Sequence, residues 1–212
     1  MATQRFDGDV EITGAIRVSG TYTGPINRSN LIADNTAAYM LPFQNFQVWD
    51  AFGTALANGA GSNDDLGLTA GAFGTGLPYV ETRDLTGNAG AGVAHYARTT
   101  FTLPPEYLSG GTITLQLAAG MKGVVAATSA VADAEAYLSA RTTLVSGSDL
   151  VSTAAQNINS VTFADYLFSL TPTGRVAGDV LDIRLSLTAT SATVASHFAA
   201  ITHAEMVLQV KG

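Results

Sequence analysis

The stretch DVLDIRLSLT, Asp179–Thr188, decides the fold class. Leu181, Ile183, Leu185 and Leu187 alternate with Asp182, Arg184 and Ser186. Successive side chains of an extended chain leave opposite faces, so an apolar period of two marks a half-buried β-strand with one face on a core. The same pattern recurs on both sides. Thr202–Val210 turns Ala204, Met206, Leu208 and Val210 inward, and Thr162–Leu170 groups Ala164, Tyr166, Phe168 and Leu170. Thr112–Leu117 groups Ile113, Leu115 and Leu117. His95–Leu103 turns Ala97, Phe101 and Leu103 inward and Tyr96, Arg98, Thr100 and Thr102 outward. Residues 123–137 are rich in alanine and have helical propensity. The acidic residues Asp133 and Glu135 nevertheless stand two apart, so 130–138 reads as a strand with Ala132, Ala134, Ala136 and Leu138 on one face.

Turn residues separate these runs: Pro104-Pro105, Gly110-Gly111, Gly147-Ser148 and Ala177-Gly178-Asp179. With no long amphipathic helix, the chain is expected to be all-β, an antiparallel jelly-roll-like β-sandwich over residues 38–212. One short helix is expected near Thr153–Asn157. Residues 53–92 hold ten glycines and read as loop, with short strands near Leu66–Leu68 and Tyr79–Val80.

Residues 1–37 follow another pattern. Asp9–Gly20, DVEITGAIRVSG, alternates around Val10, Ile12, Ile16 and Val18, and Gly turns follow at Ser19-Gly20 and Thr23-Gly24-Pro25. Short strands without enough residues for a core of their own predict an extended N-terminal β arm that orders on a partner surface. Phe6, Val10, Ile12, Ile16, Val18 and Tyr22 are its expected contact residues. Asn27–Ala38 reads as a linker to the sandwich.

Composition narrows the function. The 212 residues are 47% hydrophobic and only 13% charged, about half the charged fraction of an ordinary soluble domain. Net charge is −7, with the two lysines at Lys122 and Lys211 and eight scattered arginines. A nucleic-acid partner needs clustered basic residues and is not expected. No apolar h-region follows Met1 and no run of 18 apolar residues exists, so neither a cleaved secretory signal nor a membrane partner is expected. There is no cysteine to form a disulfide or a thiolate metal site.

Catalytic and metal motifs are weak. Asn63-Asp64-Asp65 could meet a hard cation but lacks EF-hand spacing, and Asp7-Gly8-Asp9 is a turn. His95, His197 and His203 come from remote segments, and His203 shares an outward face with Glu205. Gly71–Gly76 has no following Lys-Ser/Thr for a phosphate loop, and no Gly-x-Ser-x-Gly elbow occurs. Asn27-Arg28-Ser29 is a formal glycosylation sequon without a secretory context. Paired carboxylates for glycoside chemistry could lie far apart in the chain, but aromatics are only 8% of it. Trp49, its single tryptophan, reads as a core or interface anchor. No metal, no cofactor and no enzymatic activity are expected.

From Val48-Trp49-Asp50-Ala51 onward the chain resembles a β-sandwich module of tailed-bacteriophage virion proteins. The resembling stretches include Asp64-Asp65-Leu66-Gly67-Leu68, Phe73-Gly74-Thr75, Leu103-Pro104-Pro105-Glu106-Tyr107, Gly120-Met121-Lys122, Phe163-Ala164-Asp165 and Gly178-Asp179-Val180-Leu181-Asp182. The N-terminal Thr13-Gly14, Ser19-Gly20 and Thr23-Gly24 are similar to the arms of phage fibre and capsid-decoration proteins. The resemblance implies a homotrimer on the outer surface of a phage head, a capsid cement or decoration protein whose partner is the major capsid protein. It also admits a head or tail fibre that recognises host-surface glycans through residues 53–92.

Overall fold

The computed structural model describes residues 35–86, 92–126, 128–140, 144–190 and 196–211. The chain divides into two compact units, Met1–Ile32 and Ala33–Gly212. Every described residue belongs to the second. The expected arm residues Phe6, Val10, Ile12, Ile16, Val18 and Tyr22 lie outside the described residues.

The described chain is all-β apart from one 3-10 turn at Phe43–Asn45. Its strands are β1 (Asn35–Met40), β2 (Gly67–Thr69), β3 (Tyr79–Glu81), β4 (Val93–Thr102), β5 (Ile113–Lys122) and β6 (Ser129–Ala140). They continue with β7 (Leu144–Ser146), β8 (Gln156–Asn157), β9 (Ala164–Leu170), β10 (Val180–Thr190) and β11 (Phe198–Val210). Every pairing between them is antiparallel. One sheet runs β2-β3-β11-β5-β9 with β1 also on β11; the other runs β4-β10-β6-β7 with β8 also on β6. The two form an antiparallel, jelly-roll-like β-sandwich.

The alternation read from the sequence is the alternation of burial. Leu181, Ile183, Leu185, Leu187 and Ala189 of β10 face one core with Ile113, Leu115 and Leu117 of β5 and Ala204, Met206 and Leu208 of β11. Fully burying a Leu or Ile side chain contributes about 1.5–3 kcal/mol. The inward face of β6 is Ala130, Ala132, Ala134 and Ala136, all buried. The alanines of 130–136 are therefore small core residues of a strand, and the helical propensity of 123–137 is overridden by packing.

Two expectations are corrected. Thr153–Asn157 forms no helix; Gln156 and Asn157 pair with Ala132 and Val131 as β8. The polar side chains there serve the neighbouring strand instead: Thr153 Oγ1 accepts the Ser169 N–H at 2.9 Å and Gln156 Nε2 donates to the Leu167 carbonyl at 2.7 Å. The stretch Asn27–Ala38 read as a linker already contains the start of β1, whose Asn35–Met40 pairs with Val210–Glu205.

One irregularity matters for the outline of the sheet. The β5–β11 register shifts between Ile201 and His203, leaving Thr202 as an extra residue, a bulge. Before it, Ala200 and Ile201 pair with β3; after it, Glu205 onward pairs with β1. The flank of β11 is thus shared by two short strands.

Leu185 is fully buried in β10, whereas Leu167 on β9 is 52% exposed. Leu185→Ala should cost about 2–5 kcal/mol in chemical denaturation, and Leu167→Ala less than about 0.5 kcal/mol. Equal effects would refute the placement of the core.

Candidate functional site

The outward face of the β4-β10-β6 sheet carries an ordered polar and aromatic surface. Strand register sets it in cross-strand rows. Ser186 stands between Tyr96 and Asp133, Arg184 between Arg98 and Glu135, and Asp182 between Thr100 and Tyr137. Arg98 and Arg184 are direct neighbours, an arrangement that repels unless each charge is answered.

Each is answered twice. Arg98 Nε donates to Asp182 Oδ1 at 2.7 Å, and its Nη2 donates to Asp182 Oδ2. This two-pronged hydrogen bond raises the Arg98 pKa and fixes the plane of the guanidinium. Arg184 Nη2 donates to Glu135 Oε1 at 2.7 Å. Aromatic faces take the rest: the Arg98 guanidinium lies 4.6 Å from the Phe52 ring centre, and that of Arg184 lies 5.1 Å from Trp49 and 4.9 Å from Tyr96.

Segment 47–55 builds the wall beside β4. Gln47 exchanges backbone hydrogen bonds with Arg98, and the Val48 N–H reaches the Thr54 carbonyl. Gln47 Oε1 accepts the Gly53 N–H at 2.6 Å, and Gly53 takes φ +109°, a conformation that side chains resist. The Trp49 ring packs 5.0 Å from Tyr96, and its indole N–H donates to Asp64 Oδ2 at 3.2 Å. Trp49, Asp50, Arg98, Glu135, Tyr137, Asp182 and Arg184 enclose a solvent-facing cleft of about 450 Å³. Burial and the negative charges of Glu135 and Asp149 raise the Tyr137 pKa, so its phenol stays protonated.

A second surface has the opposite chemistry. Met40, Leu41, Pro42, Phe43, Leu77 and Pro78 line an apolar groove of about 440 Å³. Met40 is 62% and Leu77 73% exposed, and Phe73, on the loop before Leu77, is fully exposed. That loop, Gly71–Gly76, is pinched at its base: a Cβ on Gly71 would lie 2.3 Å from the Gly76 carbonyl carbon. It holds Phe73 out in solvent.

The residues singled out in the sequence fare differently. Trp49 is a half-buried wall of the cleft and not a core residue. Asp64 holds the Trp49 indole, while Asp65 turns inward and burial raises its carboxyl pKa. Among the described residues no three His, Asp or Glu side chains gather as metal ligands. His95 and His197 are fully buried; His203 is partly exposed, with Nε2 3.1 Å from Glu205 Oε2. Local sequence pattern does not group the cleft pairs Arg98–Asp182 and Arg184–Glu135 as a site. The available signal was their outward position in a chain with few charges, but only the strand order β4-β10-β6 makes them neighbours.

No family model matches the chain, and no curated protein matches it. Among solved structures it is similar to the xylan-binding module CBM15, at 14% identity over 84% of this chain and 100% of that one, with a TM-score of 0.42. It is also similar to the CBM22-1 xylan-binding domain of Paenibacillus barcinonensis Xyn10C, at 12% identity over 70% and 83% of the two chains, with a TM-score of 0.38. The K1 cleaved adhesin domain of Lys-gingipain from Porphyromonas gingivalis W83 matches at 16% identity over 81% and 97%, with a TM-score of 0.33. These likenesses are distant and assign no family.

The buried histidine beneath the cleft face gives a pH signature. The His95 ring is fully buried on the core side of β4. Burial first, then the charge of Arg83, pushes its pKa down from 6.5 to about 4. Above pH 6.5 neither folded nor unfolded chain protonates this ring, and below it only the unfolded chain gains the proton. Stability should therefore fall by up to about 3 kcal/mol as the pH drops from 6.5 to 4, and His95→Leu should flatten that window in pH-dependent denaturation. Asp84 acts lower: burial alone would raise its carboxyl, but hydrogen bonds from Thr86, Ser196 and the His197 N–H hold it at about 2. Its contribution is lost between pH 3.8 and 2 and should survive His95→Leu. An unchanged profile from pH 6.5 to 4 in the variant would refute the assignment to His95.

Proposed function

We propose that the chain is a non-enzymatic structural protein of a phage virion, a trimeric decoration protein held to the major capsid shell by its N-terminal arm. The observation that carries this reading is the exposed apolar groove at Met40, Phe43 and Leu77, with Phe73 raised beside it. Contiguous apolar surface of this kind marks a protein contact. Its lining residues carry no formal charge apart from the titratable His203, in keeping with the depletion of charge at interface cores. The occupant is the neighbouring copy in the trimer. The patterned segment Asp9–Gly20 then supplies the capsid contact, and three arms on one trimer raise the effective concentration of each. The resemblance to phage virion sandwiches from Val48 onward supports this reading.

The second reading is a fibre protein that recognises a host-surface glycan through the loops of residues 53–92. The loops of 53–92 suit recognition of a polar ligand less well, because their described tips present Phe73 and Leu77.

The compact units divide at Ile32/Ala33, so a truncation lacking residues 1–32 keeps β1. The full chain should scatter as three times 21.8 kDa. The truncated chain should melt as a folded protein yet no longer sediment with capsids. Leu77→Asp, at an exposed position, should weaken self-association about tenfold or more without changing the melting temperature. A monomeric full chain, or capsid binding by the truncated one, would overturn the reading.

A further inference from the structure

We infer that the cleft between segment 47–55 and the β4-β10-β6 face is a binding site for an uncharged oligosaccharide. The floor is polar and fixed in advance. Asp182 gives both oxygens to Arg98, and Glu135 gives one to Arg184. Each guanidinium keeps donors to spare beyond these bonds, and each carboxylate keeps lone pairs. Forked donors beside forked acceptors match the adjacent hydroxyls of a sugar ring, each of which both donates and accepts. The aromatic faces that clamp the arginines also hold them still, which lowers the ordering cost of binding.

The rims are aromatic. Trp49 stands on the β4 side and Tyr137 on the β6 side. Trp49 has one face on the Arg184 guanidinium, and the Tyr137 ring on the opposite rim offers flat apolar area to the C–H face of a pyranose, with a polar edge to the water. A volume of about 450 Å³ lies in the range of small-molecule sites.

Charge selects among ligands. Asp50, Glu135 and Asp182 face Arg98 and Arg184 in the cleft. An anionic ligand meets the surplus carboxylate, and a cationic one meets two immobilised guanidiniums. A neutral polyol is favoured by both kinds of group. This inference stands whether or not the protein decorates a capsid.

Trp49 is the only tryptophan of the chain and lines the cleft, so its emission reports occupancy directly. The full-length protein would be applied to a printed array of neutral and acidic glycans. Xylohexaose, cellohexaose, mannohexaose, any array hit and polygalacturonate would then be titrated while following Trp49 fluorescence. At least one neutral glycan should give a saturable change in emission, and polygalacturonate should bind more weakly. Tyr137→Ala and the near-isosteric Glu135→Gln should each weaken that binding about tenfold or more, with melting temperatures recorded alongside. No saturable response from any neutral glycan would sink the proposal. So would tighter binding of polygalacturonate, or undiminished binding by a folded Glu135→Gln protein. Loss of trimer or of capsid attachment in the truncation and Leu77→Asp experiments would leave this result untouched.

Discussion

Strand β10 has no free edge. Its backbone is consumed by β4 on one side and β6 on the other, and its two side-chain faces are forced into opposite environments by the pleat. The face of Leu181, Ile183, Leu185 and Leu187 must be apolar because it closes the core. The face of Asp182, Arg184 and Ser186 is thereby fixed in height and spacing by the packing behind it. A one-residue slip would put Asp182 and Arg184 into the core, and the desolvation cost of two charges forbids that. Register in this sheet is consequently fixed by hydrophobic burial, and the polar cleft inherits its geometry from it.

The same logic explains how Arg98 and Arg184 can stand side by side. On a bare strand pair like charges at opposite positions are unfavourable. Here each guanidinium has a carboxylate and at least one aromatic face. The groups that remove the repulsion are also the groups that line the cleft. Stability of this face and its capacity to bind therefore reside in one set of side chains.

Strand positions were legible in the sequence because burial follows period two. Leu181, Ile183, Leu115, Leu117, Met206 and Leu208 were all read onto inward faces and lie there. Ala132, Ala134 and Ala136 were read through the opposing propensity signal because Asp133 and Glu135 alternate with them. Thr153–Asn157 forms no helix because a five-residue segment takes its conformation from its neighbours, here β6 and β9. The cleft was not legible as a unit. Arg98, Glu135 and Arg184 come from strands far apart in the chain, and adjacency of strands in a sheet is a property of topology and not of local pattern. Trp49 was singled out, but its place on a wall beside Tyr96 depends on Gln47 pairing with Arg98.

The bulge at Thr202 has a bearing on how such a protein behaves when crowded. A long straight sheet edge is a template for open-ended strand addition. By passing the flank of β11 from the short β3 to the six-residue β1, the bulge breaks that template into pieces that do not share one line. Strand addition along this flank of the sheet is thereby disfavoured.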